Sequence, residues 1–278
     1  MQYDLHKIHD MIYGRRSVRR YADTVDMDEL RETVDTGLTG ASSLPGQEKP
    51  TVQVLDGVAA ISAFTGIVGH YGKVEAPAYL LFSARPRGAY LTQAGYVGEQ
   101  LVLWLASRGY GTCWIGIPIN TRRLLAYNPL PAGETYIILM AVGKPAAGMP
   151  LLRDENGYKR RALEDMVTGE MRDEWQPVLE AGRIAPSASN GQPWHFACTA
   201  EGIELYCTLG RGLIKKKYYH HLNRIDGGIA LAHLWLAARA AGFDVNLEKI
   251  NGPAARMGND IKDVKLLPIM GMRLEKKP

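Results

Sequence analysis

The chain has 278 residues, of which 46% are hydrophobic and 22% charged, a balance that excludes a disordered or low-complexity protein. A net charge of +4 and a pI near 8.8 suit an anionic small ligand and do not demand nucleic acid. No apolar run approaches the roughly 18 residues that span a bilayer, the N-terminal MQYDLHKIHD has no apolar signal core, and Cys113, Cys198 and Cys207 lack metal-type spacing, so the expectation is a cytoplasmic protein with reduced thiols.

In chain order, residues 3–13 and 26–38 carry apolar side chains at helical spacing, as in DMDELRETVDTGL. Between them lies GRRSVRRY, residues 14–21, with four arginines and a serine where one helix has ended. The planar guanidinium offers two parallel donors to a phosphate, and serine adds a short third. The alternative for such a cluster is a solvated basic patch; a nucleic-acid reading lacks a long basic stripe or a recognisable module. Residues 51–56 (TVQVLD) and 78–84 (AYLLFSA) read as strands, 93–108 as the strongest helix, ended by Gly109, and 135–143 (TYIILMAVG) as a buried strand. Lys144 to Tyr158 is rich in Pro and Gly and reads as a linker.

After that linker the pattern starts again. Arg15–Gln47 aligned without a gap to Arg160–Gln192 gives eight identities in 33 positions, against about two expected from ordinary residue frequencies. Gly95–Gly109 matches Gly228–Gly242 in length and apolar spacing. The copies differ in charge: Ser17, Arg19 and Arg20 face Ala162, Glu164 and Asp165. A carboxylate about 4 Å from a phosphate oxygen is repelled by roughly 4 kcal/mol at an effective dielectric near 20, so one phosphate site per chain is expected, in the first copy. The turn regions differ too. The first copy reads GLTGASSLPGQEKP; the second, RIAPSASNGQPWHF, carries turn-forming residues up to an abrupt Trp-His-Phe. Trp194 is expected in the core at the start of a strand.

Three features together resemble the FMN-dependent nitroreductase family: Arg15-Arg16-Ser17-x-Arg19; the run Pro-Ser-x-x-Asn-x-Gln-Pro-Trp at 186–194; and Ala76-Pro77 before a strand, followed by residues 95–116 ending in Trp114-Ile115-Gly116. LPAGETYIILMAVGKP adds to the likeness, which covers most of residues 10–240. Such proteins are usually homodimers, with one subunit gripping the flavin phosphate and the other laying the Pro-Ser-x-x-Asn loop against the ring. Here the first motif stands only in the first half and the second only in the second half. The resemblance therefore implies a fused, degenerate pair: one chain imitating a dimer, with halves 1–150 and 151–278 packed as one unit. The implied fold is α+β, with a mixed or antiparallel sheet flanked by helices.

By the same resemblance, Arg15, Arg16, Ser17 and Arg19 bind the phosphate and ribityl chain of FMN, and Arg160, with Lys159 or Arg161 as substitutes, supplies a late basic contact. Pro186, Ser187, Ala188 and Asn190 line the ring, Gln192 anchors that loop, and the backbone near Ile115 and Gly116 sits by the reactive nitrogen, where an N–H stabilises charge on the reduced ring. The implied activity is hydride transfer from NAD(P)H through FMN to a nitro compound, a quinone or a similar electron-poor acceptor; the alternative is a non-catalytic flavin carrier or sensor. The expected partner is a small-molecule acceptor, with no nucleic acid and no membrane, in a monomer or a higher homo-oligomer. No side-chain acid for the acceptor step stands out. Gly109-x-Gly111 and Gly210-x-Gly212 lack the spacing of a dinucleotide fingerprint, and no nucleophile elbow or zinc pattern is present. His220 and His221, as neighbours, point apart and make a poor metal pair. IKKKYYHHLNR, residues 214–224, reads as a solvated connection before the last helix, or as a lid or steering segment for an anionic cofactor. Met257, Met270 and Met272 read as core filler.

Overall fold

Asp4 and Asp26 open the first two helices. In the computed structural model, which describes residues 4–61, 74–117, 119–153, 159–208, 213–250 and 266–276, the Asp4 carboxylate accepts the amides of His6 and Lys7 at the start of α1 (Leu5–Gly14). Asp26 accepts those of Asp28 and Glu29 at the start of α2 (Met27–Gly40). Each cap satisfies amides that a helix leaves without partners and is worth about 1 kcal/mol. Both helices turn an apolar stripe inward: Ile8 and Ile12 from α1, Leu30 and Val34 from α2.

The first half continues through β1 (Thr51–Asp56), α3 (Gly57–Ile61), β2 (Ala78–Ala84), α4 (Tyr90–Ser107), β3 (Gly111–Ile115), α5 (Thr121–Tyr127) and β4 (Thr135–Gly143). Its four strands form an antiparallel sheet in the order β1-β2-β4-β3. The second half carries β5 (Val167–Thr168), α6 (Gln176–Arg183), β6 (Trp194–Cys198), β7 (Gly202–Thr208), α7 (Leu213–Ala240), β8 (Phe243–Glu248) and β9 (Leu266–Lys276). The order there is β5-β6-β7-β9-β8, with β5 parallel to β6 and the other pairs antiparallel. With β5 set aside, both sheets run first, second, fourth, third.

The sequence pattern of each sheet follows from what covers it. Leu80 and Phe82 of β2 face the main core with α4, whereas Tyr79 and Leu81 face a second cluster that includes Ala60 of α3 and Leu124 of α5. Covered on both faces, β2 and β4 read as continuous apolar runs. In β8, FDVNLE buries Phe243 and Leu247 and exposes Asp244, Asn246 and Glu248, the alternation of a strand with one wet face.

The two long helices, α4 and α7, pack against each other at the centre. A methyl group at Gly95 would run into the carbonyl oxygen of Ile225, and one at Gly228 into that of Thr92. Thr92 and Ile225 stand three residues before Gly95 and Gly228, so the crossing makes the same close contact in both directions. Every residue of α4 from Leu91 to Ala106 is buried, as expected of a helix that is apolar nearly all round. Trp194 is fully buried, and so effectively are Met270 and Met272; Met257 and Gly210-x-Gly212 lie outside the described residues.

Three expectations change. The segment 214–224 is not a connection before the last helix but the first turns of α7, and it contains no Gly or Pro to stop a helix. Residues 144–153 are not a free linker. The Ala22 amide donates to the Lys144 carbonyl at 2.9 Å and the Ala146 amide to the Arg20 carbonyl at 3.1 Å, while Arg15 bridges to Leu152. This pairing pins the arginine-rich segment in place. Residues 154–158 lie outside the described residues. Helix α4 starts at Tyr90, ahead of the expected position, because the Gln47 side chain accepts the Ala89 amide at 2.9 Å and orders the preceding turn.

Candidate functional site

Extended backbone carries the arginine cluster along the free side of β3. Ser17 pairs in parallel with Thr112, and the Val18 amide donates to the Thr112 carbonyl at 2.9 Å. Val18 turns into the core, while Arg15, Arg16, Ser17 and Arg19 line a cavity of about 650 Å³. Arg15 is almost wholly buried. Its Nη2 donates to Ser17 Oγ at 3.3 Å, its Nη1 lies 3.9 Å from Glu99 Oε1, and its Nε has no hydrogen-bond partner among the described residues. A buried guanidinium that is only partly satisfied is primed for an anion that supplies the missing acceptor. Ile115 and Gly116, at the end of β3, line the same cavity.

The second half contributes the loop at 186–192. Ser189, Asn190 and Gln192 have φ of 51°, 54° and 47°, the left-handed region that costs a residue with a Cβ roughly 1–2 kcal/mol. Hydrogen bonds hold the chain there. The Gln192 amide donates to Ser187 Oγ at 2.9 Å, Gln192 Nε2 to the Asn190 carbonyl at 3.1 Å, and the Arg161 amide to Gln192 Oε1 at 2.8 Å. Asn190 Nδ2 donates to the Lys159 carbonyl at 2.9 Å, and Arg160 Nη1 donates to Asn190 Oδ1 at 2.6 Å. Pro186, Ser187, Ala188, Asn190, Lys159 and Arg160 thereby reach the cavity that holds the first-half arginines. Of the site residues expected from sequence, Gln192 and the substitute Arg161 are absent from the lining; Gln192 sits behind the loop as its anchor, and Asn190 spends its amide on Lys159 and Arg160. A Cβ at Gly116 would lie 3.7 Å from both Ala188 Cβ and Leu222 Cδ2, so the halves come close to contact at the end of β3.

The electrostatics are lopsided. Among the described residues, Arg15, Arg16, Arg19, Arg153, Lys159 and Arg160 line the cavity with a single carboxyl group, Asp226. Arg153 and Asp226 escaped the sequence reading. The signal for Asp226 was an acid standing between Ile225 and Ile229, in the otherwise uncharged stretch IDGGIALA of α7. Burial pushes its carboxyl up to about 8; the Ala188 N–H opposes the shift and the nearby charge of Glu99 adds to it. Cys113, also in the lining, is raised by burial against the pull of Arg19 and Arg15. Behind Arg15, Glu99 ties the halves together: its Oε2 accepts from Trp114 Nε1 at 2.9 Å, and its Oε1 lies 3.1 Å from Nε2 of His233 on α7. His233 Nδ1 donates to the Ala181 carbonyl at 3.0 Å, which can only accept.

Among the described residues no cluster of His, Cys, Asp and Glu is arranged to hold a metal, and no helix is long and apolar enough to cross a membrane. Cys113, Cys198 and Cys207 are free.

The family model described as "Putative TM nitroreductase" matches residues 7–238. The chain belongs to this nitroreductase family. Membership makes it an oxidoreductase enzyme, and its α+β architecture is that of nitroreductases. Among solved structures, a nitroreductase from Thermotoga maritima is 21% identical, with 91% of this chain and 93% of that chain covered and a TM-score of 0.61. A nitroreductase with bound FMN from Desulfitobacterium hafniense is 16% identical over 58% of this chain and 100% of that one, with a TM-score of 0.42. An FMN-dependent nitroreductase from Clostridium difficile is 17% identical over 54% and 93%, with a TM-score of 0.43. Among curated proteins none matches.

Proposed function

We propose that the cavity between the halves binds one FMN per chain and that the enzyme passes a hydride from NADH or NADPH to an electron-poor acceptor such as a nitro compound or a quinone. The observation that carries this reading is the meeting of the Arg-Arg-Ser-x-Arg segment and the Pro-Ser-x-x-Asn loop on one cavity of about 650 Å³, large enough for a flavin nucleotide. The residues present fit the group. Arg15, with its buried Nε lacking an acceptor, Arg16, Ser17 and Arg19 would hold the phosphate, together with Lys159 and Arg160 from the other half. Pro186, Ser187, Ala188 and Asn190 would face the ring, and the backbone at Ile115 and Gly116 would lie beside its reactive edge.

When bound, FMN supplies the two-electron chemistry that no amino-acid side chain provides. The chain's own part is to neutralise the phosphate, hold the ring between the end of β3 and the loop, and restrict water with Ile138, Leu222 and Ile229. One chain then does the work of two subunits, with residues 1–150 as the phosphate-gripping half and 151–278 as the ring-facing half. The matching sheet orders and helix crossing support that division.

Titration of the purified protein with FMN tests the reading, followed by absorbance and by steady-state NAD(P)H oxidation with a nitroaromatic. One equivalent bound per chain with turnover is expected. No binding overturns the site, and binding without turnover favours a carrier.

A further inference from the structure

We propose that Asp226 is the acid of the acceptor step, donating the proton of its carboxyl group into the cavity as the electron acceptor is reduced. The proposal rests on the flavin reading above and assigns to it a residue that the family motifs do not include. Asp226 lines the cavity between Ile225 and Ile229 on α7 and is 5% exposed. Both of its oxygens lie 3.2 Å from one donor, the Ala188 amide, and no other hydrogen-bond partner occurs among the described residues. A single N–H cannot satisfy a buried carboxylate, so the neutral acid is the stable form at neutral pH. The neutral acid carries an O–H, and because Asp226 lines the cavity that proton can be presented to whatever occupies it.

The groups facing Asp226 agree. The charge of Glu99 on α4 disfavours a second negative charge at Asp226, and the buried Cys207 thiol of β7 stands nearby. The Ala188 N–H works the other way and favours the charged form; Arg224 on the same helix and the six cavity cations named above are the positive groups of its surroundings. The balance leaves it near 8, a useful value for an acid at physiological pH. Anchoring the loop does not itself require an acid. In the first half the neutral Gln93 does the similar job, its Oε1 accepting the Leu44 amide at 2.9 Å.

The step balances as follows for a quinone. One quinone oxygen receives a hydride, two electrons and a proton, from flavin that a reduced nicotinamide has recharged. The Asp226 O–H bond breaks and its proton goes to the other quinone oxygen. The hydroquinone leaves, and water reprotonates the carboxylate.

Infrared titration of wild-type protein carrying ¹³C-labelled aspartate, without and with FMN, reads the acid directly and needs no variant. An aspartic acid carbonyl band that disappears near pH 8 is expected; its absence overturns the proposal. Asp226→Asn keeps an oxygen for the Ala188 amide and should lack that band. In stopped-flow measurements its reduction by NAD(P)H should stay within about 2-fold of wild type, while its oxidation by benzoquinone slows by about 10²-fold and loses the decline above pH 8. Oxidation at the wild-type rate overturns the proposal. FMN affinity, measured on the same samples, reads the underlying function separately: wild-type protein that binds no FMN overturns the flavin reading, whatever the infrared band shows.

Discussion

Residues 41–47 and 186–192 hold corresponding places in the two halves and use their side chains differently. In the first, Ser42 turns inward: its amide donates to Gln100 Oε1 at 2.9 Å and its Oγ lies 2.9 Å from Tyr96 Oη, while the only positive φ falls on Gly46, at 69°. In the second, three residues with side chains occupy the left-handed region, and the loop faces a cavity. The corner that closes onto its own helix is relaxed. The corner that has to present itself to the opposite half is strained, and a hydrogen-bonded frame offsets the strain. The basic segments contrast in the same sense. Arg19 lines the cavity, whereas its counterpart Glu164 and neighbouring Asp165 carry the opposite charge. Beneath these differences the cores stay alike: a Cβ at Gly37 would press on Leu101 and one at Gly182 on Leu234, each at 2.7 Å. The differences are concentrated at the candidate site and at its counterpart segments.

The most forceful way to break the comparison is to give the first segment the charge of the second. Arg19→Glu should weaken FMN binding by about 10³-fold, roughly 4 kcal/mol, and the protein should purify colourless. Retained flavin at unchanged stoichiometry would contradict the phosphate assignment. The reciprocal Glu164→Arg should leave stoichiometry at one per chain.

Next in size is the carboxyl that replaces an amide. The folded-state value of Asp226 lies above its unfolded value near 3.8, so its stabilising contribution is complete below pH 4 and is lost as pH rises towards 8. Relative to Asp226→Asn, wild type should lose several kcal/mol across that window and change little above it. Urea denaturation of both proteins at several pH values checks the sign; parallel curves would show that the carboxyl is not buried as described.

The helix crossing tests the likeness instead of the difference. Gly95→Ala and Gly228→Ala should each destabilise by about 2 kcal/mol, because each methyl meets a backbone carbonyl that cannot swing away. Strongly unequal losses in chemical denaturation would mean that the two contacts are not equivalent. The smallest effects belong to the loops. Ser189→Gly relieves a left-handed residue and should change stability by less than about 1 kcal/mol in the stabilising direction, whereas Gly46→Ala, which meets no neighbouring atom, should destabilise by about 1 kcal/mol through backbone strain alone. Thermal melts that move both variants the same way would erase the contrast between the loops.

Much of this was legible in the chain. The strands at 51–56, 78–84 and 135–143 coincide with β1, β2 and β4, since apolar or β-branched runs between turn residues form strands wherever they are buried. The two motifs could be recognised because phosphate binding and tight turns each demand particular residue types in close succession. The start of α7 was misread because the charged, aromatic run at 214–224 has no apolar periodicity of its own, and its helicity comes with the long helix that it begins.

What the sequence determined by itself is local: which segments become strands and helices, where the chain turns, and which short stretch can grip an anion. Tertiary structure alone decided that Ser17 and Asn190 share a cavity, that Arg153 joins it, and that Asp226 is buried there with one amide against its carboxyl group. Periodicity and turn chemistry act over a few residues and are written in order along the chain. Burial, field and proton affinity depend on neighbours tens to well over a hundred residues away, and exist only once the two halves have packed.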